Sequence, residues 1–181
     1  MDAKICIETR RSVRRFQDKP VSRSVIADVV RLAQMAPTWK NSQTVRYIWI
    51  DDAQLKQTIA ETATMGFRKN TDNIISAPGL MLVTTVHGIS GYNTDGTHTT
   101  TKGDHWESFD AGLAVQTFCL ALHEAGLGSV IMGLFDEEKI SQLAQVPEGE
   151  RISCILAVGY PAEGLHGKTM RKPLDEVLHF R

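Results

Sequence analysis

Apolar positions recur at helical spacing over residues 22–35. Ile26, Val29, Val30 and Ala33 share one face there, with Ser22 placed as N-cap. The helix should stop at Ala36-Pro37, because proline drives the residue before it out of the helical region. A shorter helical pattern covers residues 1–9, with Ile5 and, beside it, Cys6 turned inward. Val45-Arg46-Tyr47-Ile48-Trp49-Ile50 is β-branched and aromatic and predicts a strand. Asp51 or Asp52 then caps a helix over 53–63. Residues 80–86 form an apolar run of the kind covered on both faces of a sheet. The longest helical pattern is 106–125, along which Phe109, Gly112, Leu113, Gln116, Leu120 and His123 run; its alanines and glycine make it slim enough to sit centrally. Gly126 supplies the left-handed stop. Residues 129–135 read as an extended segment, Asp136 caps a short helix to 144, and 151–160 is a strand ended by Pro161. Strands alternating with helices make the class α/β or α+β.

Two stretches break this pattern. Residues 37–43 (Pro-Thr-Trp-Lys-Asn-Ser-Gln) are a polar loop holding one tryptophan, and 87–103 turn to Gly, Thr, Asn and His with almost nothing to bury. A stretch of the second kind inside a compact domain is a lid, a binding loop or locally disordered. No repeat, heptad array or linker divides the chain, so residues 1–181 are expected to form a single domain.

Charge adds one local feature. Arg10, Arg11, Arg14 and Arg15 crowd around Ser12, although the net charge of the chain is only −1. Forked guanidinium donors and a hydroxyl suit a phosphate. Such a cluster is also compatible with a solvated basic face or a nucleic-acid patch, but the overall balance argues against a general nucleic-acid binder. Cys6, Cys119 and Cys154 are widely spaced in apolar surroundings, which suggests buried free thiols in a reducing compartment, and no Cys/His spacing suggests zinc. With no signal-peptide pattern near the arginines and no run of membrane length, the expected location is the cytoplasm, away from membranes.

Three donor-rich segments converge in purpose. Arg10 to Arg15 and the basic tail around Arg171 can meet on one phosphate. The 37–43 loop offers an amide, a hydroxyl and an indole to a planar polar ligand, and the small residues of 126–134 let backbone approach a flat ring. His87, His98 and His105 flank the polar loop, where solvated side chains are the ordinary case. Trp39 and Trp106 suit either stacking on an aromatic acceptor or plain packing, and Asp110 reads as a helix-surface carboxylate. Gly126-Leu127-Gly128 fails as a dinucleotide fingerprint, because it follows a helix and its third glycine is misplaced.

Five motifs then occur in a telling order: Arg10-Arg11-Ser12-Val13-Arg14, Ala36-Pro37-Thr38-Trp39-Lys40-Asn41-Ser42-Gln43, Gly126-Leu127-Gly128-Ser129, Val158-Gly159-Tyr160-Pro161 and Arg171-Lys172-Pro173-Leu174. In this series the chain resembles the FMN-dependent nitroreductase family over about residues 9–177. The resemblance implies an α+β fold with a central, mostly antiparallel sheet flanked by helices, and an intertwined homodimer holding FMN at its interface. It implies cofactor contacts from Arg10, Arg11, Ser12 and Arg14, with Arg10 and Arg171 on the phosphate and Arg14 near the phosphate and the pyrimidine edge. Pro37, Thr38, Trp39 and Asn41 would reach the flavin from the other subunit. Asn70 and Asn73 would lie near the ring or ribityl chain, and Ile131, Met132 and Gly133 would pass near N5. Thr44-Val45 departs from the Pro-Trp that commonly follows this loop in the family, and Thr169 replaces a lysine of some members, which shifts the expected phosphate grip toward Lys168 or Lys172.

The activity so implied is ping-pong transfer of hydride from NAD(P)H through flavin N5 to a nitroaromatic, quinone or similar small electron-poor acceptor, with no obligatory catalytic side chain. Two other readings use the same fold: a specialised flavin enzyme of the dehalogenase or ene-reductase type, which needs a dedicated lid, and a non-catalytic flavin-binding redox sensor.

Overall fold

The computed structural model describes residues 1–162 and 169–181. In chain order the elements are α1 (Ala3–Thr9), α2 (Arg23–Ala33), β1 (Val45–Ile50), α3 (Ala53–Thr62), α4 (Arg68–Ser76), β2 (Gly79–Val86), α5 (His105–Glu124), β3 (Gly128–Met132), α6 (Glu137–Ala144) and β4 (Glu150–Gly159). The four strands form one sheet in the order β1-β2-β4-β3, antiparallel throughout. The fold is thus α+β, with helices on both faces of an antiparallel sheet.

Alternation along the strands divides the core into two layers. Met81, Val83, Cys154, Leu156 and Val158 pack with residues of α2 and α5. Leu80, Leu82, Val130, Met132, Ile155 and Ala157 pack with residues of α3, α4 and α6. Because both faces are covered, β2 and the second half of β4 read as continuous apolar runs despite their antiparallel pairing. Phe118, fully buried at the centre of the first layer, stacks on Tyr47 with ring centroids 5.6 Å apart. Burying a side chain of this size contributes on the order of 2–3 kcal/mol.

The helix ends follow local chemistry. Ser22 caps α2 through Ser24 N, Asp52 caps α3 by accepting from Leu55 N at 2.7 Å, and Asp136 caps α6 by accepting from Lys139 N at 3.0 Å. Gly126, at φ +76°, closes α5, and Leu127 N donates back to Leu122 O at 2.8 Å.

Several expectations need correction. In α1 the buried residue is Cys6, whereas Ile5 is half exposed. Helix α2 ends at Ala33, since Met35 and Ala36 already donate in tight turns to Leu32 O and Ala33 O. The segment expected to be extended over 129–135 starts one residue earlier and leaves the sheet after Met132. Helix α4 was not foreseen: Ile74 is its one buried aliphatic residue, and Asn70 and Asn73 fill the rest of its inward face. Residues 87–103 are folded by turns, with Ser90 completely buried and Asn93 N donating to Thr97 O at 2.8 Å.

Candidate functional site

The first site segment lies along the open edge of the sheet. Val13 N donates to Ser129 O at 2.9 Å, and Ser12 bridges Ser129 in parallel. Gly128 permits this approach, because a Cβ there would lie 2.4 Å from Val13 Cγ2 and 2.7 Å from Val13 Cβ. In an antiparallel strand each residue's N–H and C=O point to the same side, alternating along the strand. The Ser129 carbonyl faces outward to Val13, so the N–H and C=O of Ile131 face outward too, one step past the covering segment. Ile131 is half exposed, and around Gly133 a Cβ would meet nothing within 4 Å.

A basic end and an amide end flank this open edge. The Arg10 side chain forms no hydrogen bond among the described residues, and Arg14 has a long 3.5 Å contact to Ser12 O. Arg11 instead donates to Glu8 O at 2.7 Å and Arg10 O at 2.8 Å, closing the end of α1. Arg10 also acts on Cys119, whose Sγ is 3.5 Å from Ser129 Oγ. Burial pushes that thiol up, with the Ser129 hydroxyl and the positive charge of Arg10 pulling the other way. At the far end of β3, Asn70 Nδ2 donates to Leu134 O at 2.9 Å, and Asn73 Nδ2 is 4.0 Å from Met132 Sδ. Both asparagines are buried. The structure therefore gathers Arg10, Ser12, Arg14, Asn70, Asn73 and Ile131–Gly133 along one strand. From Ser129 to Met132, where β3 ends, this is roughly 10 Å at ~3.3 Å per residue. A cavity of 260 Å³ between α5 and this edge is lined by Ser108, Ala111, Gly112, Gln116, Ile131 and Ser153.

Pro37, Thr38, Trp39 and Asn41 lie elsewhere, in the segment leading into β1 at the opposite edge of the sheet. Lys40, Asn41 and Gln43 have φ of 47°, 55° and 51°, left-handed values that non-glycine residues seldom adopt. Each costs on the order of 1 kcal/mol and persists only where its surroundings hold it. Part of the hold is internal: Asn41 N donates to Thr38 O at 3.1 Å, and Gln43 N to Thr38 Oγ1 at 3.0 Å. A cavity of 590 Å³ opens beside the loop, lined in part by Thr38, Ser42, Gln43, Arg46, Tyr47 and Ala114.

Arg171 is exposed and donates to Thr169 Oγ1 at 2.7 Å and Met170 O at 3.1 Å; no contact among the described residues joins it to Arg10. Lys168 lies outside the described residues. Trp39 and Trp106 pack on each other, centroids 4.7 Å apart. His98 packs on Tyr92, and His87 has its Nδ1 3.1 Å from the Glu107 carboxylate while Arg151 donates to its Nε2 at 3.2 Å.

Asp110 overturns its expected surface position. It is 1% exposed, and both of its oxygens accept from Trp39 N, at 2.9 and 3.0 Å. Ser90 Oγ donates to the same carboxylate at 2.6 Å and lies 3.2 Å from both Ser42 Oγ and Thr44 Oγ1. A single aspartate amid alanines on a helix gives no sign in the sequence of what it holds.

Comparison with known proteins places these features in context. The model of the nitroreductase family matches residues 7–160. A Thermus thermophilus protein named NADH dehydrogenase is 26% identical, with 100% of this chain and 97% of the relative aligned. A Staphylococcus aureus protein named NADPH-dependent oxidoreductase is 25% identical over 96% of this chain and 70% of its own length. The crystal structure of a nitroreductase family protein from Streptococcus pneumoniae superposes with a TM-score of 0.83, covering 97% of this chain and 98% of that one at 21% identity.

Proposed function

The chain belongs to the nitroreductase family, and on that premise we propose that it is an FMN-dependent NAD(P)H oxidoreductase. Its acceptors are nitroaromatics, quinones or similar electron-poor molecules, and its working form is a homodimer. The observation that carries the reading is the β3 edge, with arginines at one end, buried amides at the other and unpaired backbone between. That donor set fits a ligand that is anionic at one end and planar with acceptor atoms at the other, as FMN is.

FMN, when bound, would supply the redox chemistry, hydride acceptance from the nicotinamide and electron transfer to the acceptor. The residues of the chain bind and orient. Arg10 holds the phosphate, and Ser12 adds a hydroxyl beside it. Arg14 brings positive charge toward the pyrimidine edge, which raises the electron affinity of the ring. Asn70 and Asn73 face the ring or ribityl chain. The backbone of the 131–133 segment, with the outward N–H of Ile131, would lie near the ring edge that accepts the hydride.

Two features support the homodimer. The loop of Pro37, Thr38, Trp39 and Asn41 sits at the opposite sheet edge from β3, which suits a cofactor shared between the loop of one chain and the β3 edge of another. Phe109 on α5, Ile131 and Leu134 are each about half exposed, apolar surface that a second chain would cover.

The test is the visible spectrum of the purified protein, followed by anaerobic mixing with NADH and then NADPH. Flavin absorbance that bleaches with either nucleotide and returns on adding a nitroaromatic or quinone is the expected result. A yellow protein that neither nucleotide bleaches would replace this reading with a sensor or a specialised flavin enzyme. A colourless protein that FMN cannot load would overturn it.

A further inference from the structure

We propose that Asp110, working with Ser90, is the positioning residue that holds the 37–43 loop in its cofactor-facing conformation. The inference rests on the reading of that loop as part of the flavin site.

Burying a carboxylate is costly unless donors or a cation compensate it. Among the described residues Asp110 forms no ion pair. Its compensation comes from Trp39 N–H, received by both oxygens, and from the Ser90 hydroxyl. Trp39 directly precedes Lys40 and Asn41, the first two of three left-handed residues within four positions. The carboxylate thus grips the backbone at the point where the strained path begins. Ser90 extends the grip to the far side of the loop, through Ser42 Oγ and Thr44 Oγ1. Ser90 belongs to the 87–103 segment, whose composition suggests a lid, a binding loop or local disorder; its fully buried serine makes that segment a buttress under the loop.

The experiment compares wild type, Asp110→Ala, Asp110→Asn and Ser90→Ala by titration of the apoprotein with FMN and with riboflavin. A second readout is tryptic cleavage after Lys40 without ligand, scored against cleavage after Lys139 on α6. Losing a charge-assisted hydrogen bond to the loop should weaken FMN binding about tenfold or more in Asp110→Ala. Riboflavin should weaken in the same proportion, because the loop lies away from the arginines assigned to the phosphate. Asp110→Asn, which keeps one acceptor, should fall between wild type and alanine. Ser90→Ala should weaken binding about threefold, as expected for a neutral hydrogen bond. Cleavage after Lys40 should accelerate in each variant while cleavage after Lys139 does not.

Unchanged flavin affinity and unchanged Lys40 cleavage in Asp110→Ala would overturn the inference. Equal acceleration at both lysines would also overturn it, because the effect would then be global loosening. If Asp110→Ala fails to fold, Asp110→Asn and Ser90→Ala carry the same comparison. A wild-type protein that binds no flavin would sink the functional reading instead, and Lys40 cleavage would still decide whether the carboxylate holds the loop.

Discussion

Replacing Gly128 by alanine probes the contact that hangs the arginine segment on the sheet. The new Cβ would lie 2.4 Å from Val13 Cγ2, 2.7 Å from Val13 Cβ and 3.2 Å from Pro161 Cγ. Carbon atoms rest at about 3.5–4.0 Å, so Val13 must retreat by roughly 1 Å. Val13 is 5% exposed and bonded through its N–H to Ser129 O, so the retreat moves the backbone that carries Ser12 and Arg14. Overpacking of this kind costs about 1–3 kcal/mol. For a domain of this length that is a fall in Tm of roughly 3–10 °C. Val13→Ala alone should cost about 1–2.5 kcal/mol through lost burial and the space it leaves. In the double variant the closest clashing atom is gone, although the Cβ contact remains. The cost of the double variant should therefore fall short of the sum of the two single costs by about 1 kcal/mol. Urea denaturation of the four proteins of the cycle measures this directly, and FMN titration of Gly128→Ala should show weaker binding. Costs that add within about 0.5 kcal/mol would refute the idea that Gly128 exists to admit Val13.

Three further outcomes are expected. Arg14→Ala should leave the far-UV spectrum intact while weakening FMN binding about tenfold or more, as for loss of a charged hydrogen bond; unchanged flavin content and kinetics would remove Arg14 from the site. Tyr47 Oη is buried with no hydrogen-bond partner among the described residues, and burial, with smaller contributions from Cys154 and Cys119, pushes the phenol up to about 12. The unfolded phenol titrates near ~10, so the folded state keeps its proton longer and loses stability as pH rises from about 10 toward 12. Tyr47→Phe should flatten that alkaline limb in denaturation curves and leave neutral-pH stability unchanged or up to ~1 kcal/mol higher. Phe118→Ala should cost about 3–5 kcal/mol, read as a lower urea midpoint at constant slope.

The parts of the fold that were legible are those where one local rule acts alone. Ser22, Asp52 and Asp136 cap the helices they precede, because a side-chain oxygen beside an open helix end needs nothing distant to work. The run from Leu80 to Val86 announces a strand covered on both faces whatever its neighbours are. Helix α4 was illegible because its inward positions hold Asn70 and Asn73, whose burial depends on the turn around Met132 and Leu134, more than fifty residues on in the chain. Ile5 and Cys6 compete for the same inward role in α1, and only the packing against α5, where Cys6 Sγ donates to Leu120 O, chooses between them.

The candidate site divides along the same line. The arginine cluster was conspicuous because charge crowded into six residues stands out against a neutral chain. Its separation from the 37–43 loop was not, because strand order is a property of the assembled sheet. That separation changes what the motifs mean. The two groups lie on opposite edges of one sheet, so they do not form one contiguous cluster along a single strand. Asp110 carries the same lesson at shorter range. On the helix it is one acidic residue among alanines, yet the carboxylate faces inward because Trp39 N and the Ser90 hydroxyl reach it from segments 71 and 20 residues away in the chain. A buried carboxylate acquires its meaning from its donors. Here one donor belongs to the loop whose left-handed residues most need holding, and the other to the segment that bonds the far side of that loop.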